Sequence, residues 1–471
     1  MNLSDIAYLT SAFLFIIGLK FLSHPKRARR GNQLAAIGML FAIVASFIFI
    51  WGTRGALHSG TNGVLIVVGV LVGGLAGTLG ARLVAMTEMP QMVALLNGCG
   101  GGAAALISTV EFANIAAGRG EGDPLAFGAT LFGAVIGSLS FWGSLMAFGK
   151  LSGFMERAIT STMQKLFTGV VFLALLAVIV WIGLGGGTPA FYALLAVSLV
   201  FALLMVIPIG GADMPVVISL LNSFTGLAVA ATGFSLHQPA LIISGTLVGA
   251  SGTLLTLLMC KAMNRSITNV LFAGVGAGPV AAPGGAKTGG GPAKTHREIS
   301  ADDLALLLGN VQSVIVIPGY GMAVAQAQHV TRELADMLTA KGVDVKYAVH
   351  PVAGRMPGHM NVLLAEANVP YEQLYDLEQI NPEFERCDVA LVIGANDVVN
   401  PAARYDKASP IYGMPILDAD KAQHIIVVKR SLNPGFAGID NEIYYNPKTF
   451  MFFGDAKNAL QKLVEAVKAS G

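Results

Sequence analysis

The pattern of apolar and polar positions divides the chain in two. From residue 3 to about residue 260 it is a succession of nearly charge-free apolar runs, each close to the ~20 residues that a bilayer-crossing helix requires. Nine helices are expected, at 3–22, 33–51, 62–81, 89–110, 125–148, 166–187, 189–209, 214–233 and 239–260. Beyond residue 295 the pattern changes to short β-branched runs alternating with amphipathic stretches. Strands are expected at 313–317, 345–350, 389–393, 424–429 and 450–453, and helices at 300–308, 322–341, 363–368 or longer, and 456–468. Strand–helix alternation with apolar strands predicts a parallel, doubly wound sheet. The fold class is therefore an all-α polytopic membrane bundle of about nine helices, followed by an α/β domain.

Residues 274–294 read GVGAGPVAAPGGAKTGGGPAK, a Gly/Pro/Ala tract without periodicity. Such a tract predicts a flexible linker. The expected organisation is a transmembrane domain at 1–272, a linker at 273–295 and a soluble domain at 296–471.

Charge sharpens this division. Only 12% of the 471 residues are charged and the mean hydropathy is +0.65, whereas a soluble protein carries about twice that charge fraction. Residues 1–272 hold 13 Lys/Arg and 7 Asp/Glu, and residues 273–471 hold 17 and 21. The glycines of the spans, as in 69–80 and 98–102, read as close helix packing in lipid. Loops placed inside hold Lys20, Lys26, Arg27, Arg29, Arg30, Arg82, Lys150, Arg157, Lys165, Lys261 and Arg265, while those outside hold only Arg54 and Arg119. This positive-inside bias puts the N-terminus outside and the soluble domain in the cytoplasm. Residues 3–22 read as a first span and not as a cleaved signal. Cys99, Cys260 and Cys387 have no metal or disulfide spacing, so no metal is expected. Nothing points to nucleic acid as a partner.

The soluble part carries the clearest chemistry. QSVIVIPGYGMAVAQAQ at 312–328 is a strand, a tight turn and a helix start. Gly319-Tyr320-Gly321-Met322-Ala-Val324 is a GxGxx(small) fingerprint of a Rossmann-like dinucleotide fold. Gly319 permits the sharp turn, Gly321 lets the backbone approach an anion, and the helix near Met322 offers free N–H groups. A purely structural turn would give the same string. The second strand ends at His350 and Pro351 with no carboxylate, and His350 is itself a candidate cofactor contact. An acid there would hold the ribose of NAD and repel a 2′-phosphate, so its absence favours NADP(H). Lys429, Arg430 and Ser431 end an apolar strand and suit a phosphate monoester. The alternative is a solvated basic pair. Gly394, Ala395, Asn396 and Asp397 follow another buried strand, either to bond an amide or ribose or simply as an Asx turn. Arg355 lies between turn formers, within reach of a pyrophosphate.

These segments together resemble the β subunit of the proton-translocating NAD(P) transhydrogenase. The runs that carry the likeness are MTEMPQMVALLN (86–97), IGGADMPVVISLLNS (209–223), MCKAMNRS (259–266), PGYGMAVAQAQ (318–328), HPVAGRMPGHMNVLLAEANVPY (350–371), VIGANDVVNPAA (392–403), PIYGMPI (410–416), VVKRSLNPGFAG (427–438) and FFGDAK (452–457). The resemblance implies NADP(H) bound in an orientation reversed from the usual Rossmann mode. It implies cofactor contacts from Tyr320; from Val352, Ala353, Gly354, Arg355, Met356 and Pro357; from Gly394, Ala395, Asn396, Asp397 and Val398; from Gly413 and Met414; from Lys429, Arg430, Ser431, Leu432, Asn433, Pro434, Gly435 and Phe436; and from Asp455 and Ala456. It implies an α partner, in one chain or two, carrying NAD(H), an (αβ)₂ assembly, and a multi-pass place in a bacterial inner membrane with a periplasmic N-terminus. Hydride transfer from NADH to NADP⁺ would be coupled to inward proton movement.

A proton path needs polar or ionisable groups in the membrane part, where they are costly. The candidates are Glu88, Asn97, Asp213 and Asn222, with Glu111 at the outer interface. The resemblance gives Asp213 a coupling role. The family often has a histidine where Asn97 stands, and an amide cannot titrate. Either a partner subunit supplies the titrating group, or Asp213 and Glu88 with water carry the proton. A second class of function, a channel or transporter whose nucleotide domain senses redox state, is left open by the residues alone.

Overall fold

The computed structural model describes residues 3–22, 25–53, 60–119, 123–155, 161–210, 213–264, 266–267, 270, 295–356, 358–435 and 437–469. The chain separates into two compact units. One holds seven helices with the greater parts of two more, and the other holds residues 208–219 and the chain from residue 255 onward.

The helical unit is built from α1 (Leu3–Leu22), α2 (Pro25–Thr53), α3 (Gly60–Leu83), α4 (Met89–Ala116), α5 (Pro124–Leu151), α6 (Thr162–Gly183), α7 (Gly187–Val206), α8 (Met214–Ser235) and α9 (Pro239–Ala262). The nine expected runs all appear as helices. Seven, α3 to α9, are long and apolar enough among the described residues to cross a membrane, whereas α1 offers a shorter apolar stretch, Ile6–Leu22. The helices end where chemistry ends them. Asp123 accepts from the N–H groups of Leu125 (3.0 Å) and Ala126 (3.3 Å) before Pro124 opens α5, which satisfies donors that a helix start leaves free.

Small residues decide how closely these helices pack. A Cβ on Gly101 would meet the Gly137 carbonyl at 3.0 Å, and one on Gly137 would meet the Gly101 carbonyl at 2.7 Å, so α4 and α5 touch backbone to backbone. On α8 and α9 a Cβ at Gly226 would lie 2.3 Å from the Gly249 nitrogen, and one at Gly245 would lie 2.4 Å from the Ala230 nitrogen. Close approach of this kind replaces the hydrophobic drive that lipid removes. On α3, Gly69, Gly73, Gly74 and Gly77 have nothing within 4 Å among the described residues. The core of the unit gathers Phe112, Leu131, Ala134, Leu139, Phe191 and Leu194, with the rings of Phe112 and Phe191 stacked at 4.2 Å.

The α/β unit has six parallel strands in the order β3-β2-β1-β4-β5-β6. They are β1 (Ser313–Pro318), β2 (Asp344–Val349), β3 (Leu374–Asp376), β4 (Val389–Ile393), β5 (His424–Lys429) and β6 (Thr449–Phe453). The central strands are buried on both faces, which is why they read as continuous apolar runs. The starts of β1 and β4 are pinned together by Asp388, whose carboxylate accepts from the Gln312 and Ser313 N–H groups at 2.8 and 3.0 Å. Strand order reverses between β1 and β4, so loops leaving the C-terminal ends of these strands open a crevice.

Two expectations differ from the structure. The helix expected over 322–341 is two helices, α11 (Tyr320–Val324) and α12 (Gln328–Ala340), after α10 (Ala301–Leu308). Gln326 takes a left-handed φ of 50°, and the Ala327 N–H donates back to the Met322 carbonyl at 3.0 Å, a turn that closes a helix end. AVAQAQ contains no turn former, so the break is tertiary. The short edge strand β3 was not foreseen, because three residues carry no period. The helix at 363–368 starts earlier, as α13 (His359–Glu366), after Gly358 at φ 68°. The chain closes with α14 (Leu377–Ile380), α15 (Ala402–Tyr405) and α16 (Ala456–Ala469). The expected linker at 273–295 lies outside the described residues except for Thr295.

The reversal point itself is testable. Gly394 has φ 63°, and a Cβ there would lie 2.5 Å from the Gly321 Cα. Gly394→Ala combines a left-handed alanine with backbone overlap, and is expected to destabilise the unit by at least about 2 kcal/mol. Thermal unfolding of the full chain in detergent measures this; an unchanged midpoint contradicts the close approach.

Candidate functional site

The loops after β1, β4 and β5 meet at the reversal of strand order. Gly319 donates to the Ile393 carbonyl and Gly321 to the Gly394 carbonyl, each at 2.9 Å. A Cβ on Gly319 would lie 2.3 Å from the Ala395 Cα, and one on Gly321 would lie 2.7 Å from the Gly394 Cα. The glycine requirement is thus set by loop against loop, and the Gly321 N–H is already bonded. The loop contact is thus a second demand on Gly321, beside the approach of an anion expected from its place in the turn. Met322 is fully buried and accepts from the Thr331 hydroxyl at 3.7 Å, so its side chain is core. Val324 is exposed at the end of α11.

Polar groups converge beside this turn. The Lys429 Nζ donates to the Asn433 carbonyl at 2.5 Å and to the Tyr444 hydroxyl at 3.0 Å, and lies 4.7 Å above the Tyr444 ring. Tyr444 in turn donates to the Asn396 Oδ1 at 2.7 Å. Asn441 Nδ2 donates to the Asn396 backbone carbonyl at 3.0 Å and to its Oδ1 at 3.1 Å. Asp397 accepts from the Ala437 N–H at 3.0 Å, and Gly435 leaves room for both Asn396 and Asp397: its Cβ would sit 2.6 Å from the Asn396 Nδ2. That Nδ2 is buried with no hydrogen-bond partner among the described residues. Burial pushes the Lys429 ammonium down to about 8, against the pull of Asp397 and Asp440. Arg430 is exposed, Ser431 half-buried, Asn433 and Pro434 exposed, and Leu432 packs on the sheet core. Val398 is buried in that core. The Lys429 carbonyl accepts from the Gly454 N–H at 3.0 Å. This brings Asp455 and Ala456, at the start of α16, to the same strand edge. Pro357 and Phe436 lie outside the described residues.

A second group forms where β2 ends. The Arg355 guanidinium lies 4.6 Å from the Tyr320 ring centroid. Burial raises the Tyr320 hydroxyl above its ordinary range, and Arg355 opposes that rise. Gly354, at φ 110°, lets His359 Nδ1 accept the Arg355 N–H at 3.1 Å. Ala353 and Met356 are buried, while Val352 packs on the small cluster of Ala403, Ile411, Met414 and Ile416. Gly413 takes φ 77° and donates to the Ala403 carbonyl at 2.7 Å. His350, expected as a cofactor contact, is 2% exposed. Its Nε2 donates to the Pro415 carbonyl at 2.8 Å and its Nδ1 accepts from the Val352 N–H at 3.2 Å. Both nitrogens are used, so His350 is a neutral clip between the 350–356 and 410–416 loops.

In the helical unit, Asn97 Nδ2 donates to the Ser140 hydroxyl at 3.3 Å and to the Ser144 hydroxyl at 2.9 Å. Ser140 pairs with the Thr225 hydroxyl at 2.5 Å and donates to the Leu221 carbonyl at 3.0 Å. The three hydroxyl residues escaped the sequence reading, although Ser140 and Ser144 stand one helical turn apart in an apolar span. Glu88 is exposed on the turn before α4. Asn222 is half-buried and makes no hydrogen bond among the described residues, so it stands outside this network. Asp213, which belongs with residues 208–219 to the other unit, is 6% exposed just before α8, and its N–H donates to the Gly210 carbonyl at 3.1 Å.

The comparisons with known proteins bear on this arrangement. The family model for the NAD(P) transhydrogenase beta subunit matches residues 4–466. Two curated relatives, each called NAD(P) transhydrogenase subunit beta, come from Rhodospirillum rubrum and from its strain ATCC 11170. Each is 46% identical over 478 residues, covering 99% of both chains. The chain belongs to the NAD(P) transhydrogenase beta subunit family. Membership decides between the two functions left open by the residues, in favour of a transhydrogenase subunit in a membrane. The redox-sensing channel is not supported.

The His350 clip has a pH consequence. Burial lowers its pKa from the ordinary 6.5 to about 4. A histidine whose folded pKa is depressed contributes stability that is present above the unfolded value and lost as pH falls toward the folded one. Between pH 6.5 and 4 the loss reaches about 3 kcal/mol. Thermal midpoints at pH 7, 5.5 and 4.5 for the wild type and His350→Gln test this. The variant is expected to show the shallower pH slope; equal slopes contradict it.

Proposed function

We propose that this chain binds NADP(H) at the C-terminal edge of its parallel sheet. With an α subunit carrying NAD(H), it couples hydride transfer between the two cofactors to inward proton translocation. The observation that carries the reading is the end-to-end family match, joined to a sheet reversal lined by polar and small residues. Residues 1–272 form the proton-translocating part, 273–295 the tether and 296–471 the NADP(H) domain. The working assembly is (αβ)₂ in a bacterial inner membrane, with the N-terminus periplasmic and the sheet cytoplasmic.

Several features support NADP(H) over NAD(H). His350, not an acid, follows β2, so no carboxylate there repels a 2′-phosphate. Arg430 stands exposed and Ser431 half-buried just past the end of β5 beside Lys429, and a guanidinium, an ammonium and a hydroxyl suit a phosphate monoester. Arg355, held against Tyr320, is placed to meet the pyrophosphate, and Asn396 offers its buried amide to an amide or ribose oxygen. Hydride transfer between two nicotinamides needs no general acid or base from the protein. The chain's part is to bind and orient one of them.

For the proton, Asp213 is the titrating candidate on this chain. Asn97 with Ser140, Ser144 and Thr225 forms a strip of donors and acceptors that can order water, since hydroxyls both give and take hydrogen bonds. Glu88 and Asn222 are further candidates for the path.

Two experiments test these assignments. NADPH and NADH are titrated onto the full chain in detergent. The wild type is expected to prefer NADPH, and Lys429→Ala with Arg430→Ala to weaken NADPH at least about tenfold, with NADH little changed. Equal losses for both cofactors refute the phosphate assignment. In proteoliposomes with the α partner, Asp213→Asn is expected to retain measurable NADPH binding while proton-coupled turnover falls roughly a hundredfold. Near-normal coupled rates remove Asp213 from the path.

A further inference from the structure

Tyr444 is 1% exposed, and so is Asn441. Neither belongs to the strand ends or glycine turns that mark a nucleotide edge, yet both reach it. The Tyr444 hydroxyl sits between two groups from different loops. It accepts from the Lys429 Nζ at 3.0 Å and donates to the Asn396 Oδ1 at 2.7 Å. Its ring lies under the same ammonium, 4.7 Å away. Asn441 closes the arrangement from behind by donating twice to Asn396, and its own side chain accepts from the Ile443 N–H at 3.0 Å. That cap fixes the short 3₁₀ turn Glu442–Tyr445 on which Tyr444 is carried.

We propose that Tyr444 is a positioning residue for the cofactor: its hydroxyl holds the Lys429 ammonium and the Asn396 amide in one constellation at the C-terminal ends of β4 and β5, and NADP(H) affinity depends on it. This rests on the cofactor reading given above. A lysine side chain alone has several rotamers, and ordering it on binding costs affinity. One oriented hydroxyl and one aromatic face restrict the ammonium before the ligand arrives. The same hydroxyl leaves the Asn396 Nδ2 turned to the opposite side, unpartnered among the described residues.

The groups facing the Lys429 ammonium are the Tyr444 hydroxyl, the carboxylates of Asp397 and Asp440, and the Asn433 carbonyl. Burial outweighs the two carboxylates and leaves this ammonium at about 8. NADPH affinity in the wild type should therefore be level below that pH and fall above it, as the cation is lost. Removing the hydroxyl takes away an acceptor for the charged form, so the fall should begin at lower pH.

The test is NADPH titration of the full chain in detergent from pH 6.5 to 9.5, for the wild type, Tyr444→Phe, Lys429→Ala and the double variant. Phenylalanine keeps the ring and its packing, and Asn396 Oδ1 retains the Asn441 donor. Expected are an affinity about tenfold weaker for Tyr444→Phe at neutral pH, an earlier alkaline fall, and no further loss when the substitution is added to Lys429→Ala. Rescue of neither slope nor affinity by the Lys429→Ala background, with additive losses instead, overturns the proposal. So does a Tyr444→Phe profile that overlays the wild type while the wild type binds NADPH; in that case only the role of Tyr444 fails. A wild type that does not bind NADPH overturns the cofactor reading and this proposal with it.

Discussion

The α/β unit depends on one close approach, the backbone of Gly319–Gly321 against the backbone of Gly394–Ala395. Where strand order reverses, the loops leaving β1 and β4 diverge to opposite sides of the sheet, and they must pass each other before they do. Side chains at the crossing would hold them apart. With glycine on both sides, the Gly321 N–H reaches the Gly394 carbonyl at 2.9 Å, and the crevice opens at a fixed place. Everything proposed for the cofactor is referred to that point. Asn396 and Asp397 leave from it on one side, and Arg355 is held to it through Tyr320 on the other.

Around that crossing the polar groups are spent largely on each other. His350 uses both ring nitrogens to join two loops, and Lys429 uses its ammonium on a carbonyl and a phenol. Side chains tied in advance in this way leave little to order on binding, which is how a binding edge gains affinity without further contacts. The exposed Arg430 contrasts with its neighbour Lys429. One side chain is free to meet a ligand in solvent, while the other is half-buried and tied. Two adjacent cations that read alike in the sequence therefore do different work.

How much of this is legible in the sequence depends on the range of the cause. The bounds of β4 and β5 agree with the residues because a strand buried on both faces has a continuous apolar run with polar ends. The helices in lipid are legible for the same reason, since the bilayer sets their length. The break at Gln326 is not legible: AVAQAQ is good helix, and only the packing of α11 against its surroundings turns the chain. The place of the Gly319–Gly321 turn is legible but its cause is not, because a turn that serves a ligand and a turn that serves another loop need the same residue. Tyr444 and Asn441 had no signal at all. Their partners are up to 48 residues away in the chain, and nothing local in NEIYYNP announces them.

The helical unit obeys the same economy under a harsher penalty. A polar side chain in a span has no water to fall back on, so each one must find a partner or be reached by water. Asn97 shows the consequence. As an amide it cannot carry a proton, yet its Nδ2 engages two serines that sit one turn apart on α5, and through Ser140 it reaches Thr225 on α8. Hydrogen bonds between helices of this kind hold membrane bundles together. Glycine contacts such as Gly101 with Gly137 already bring α4 and α5 backbone to backbone. Hydroxyls laid along that contact add groups that both give and take hydrogen bonds, which alanine in their place would not supply.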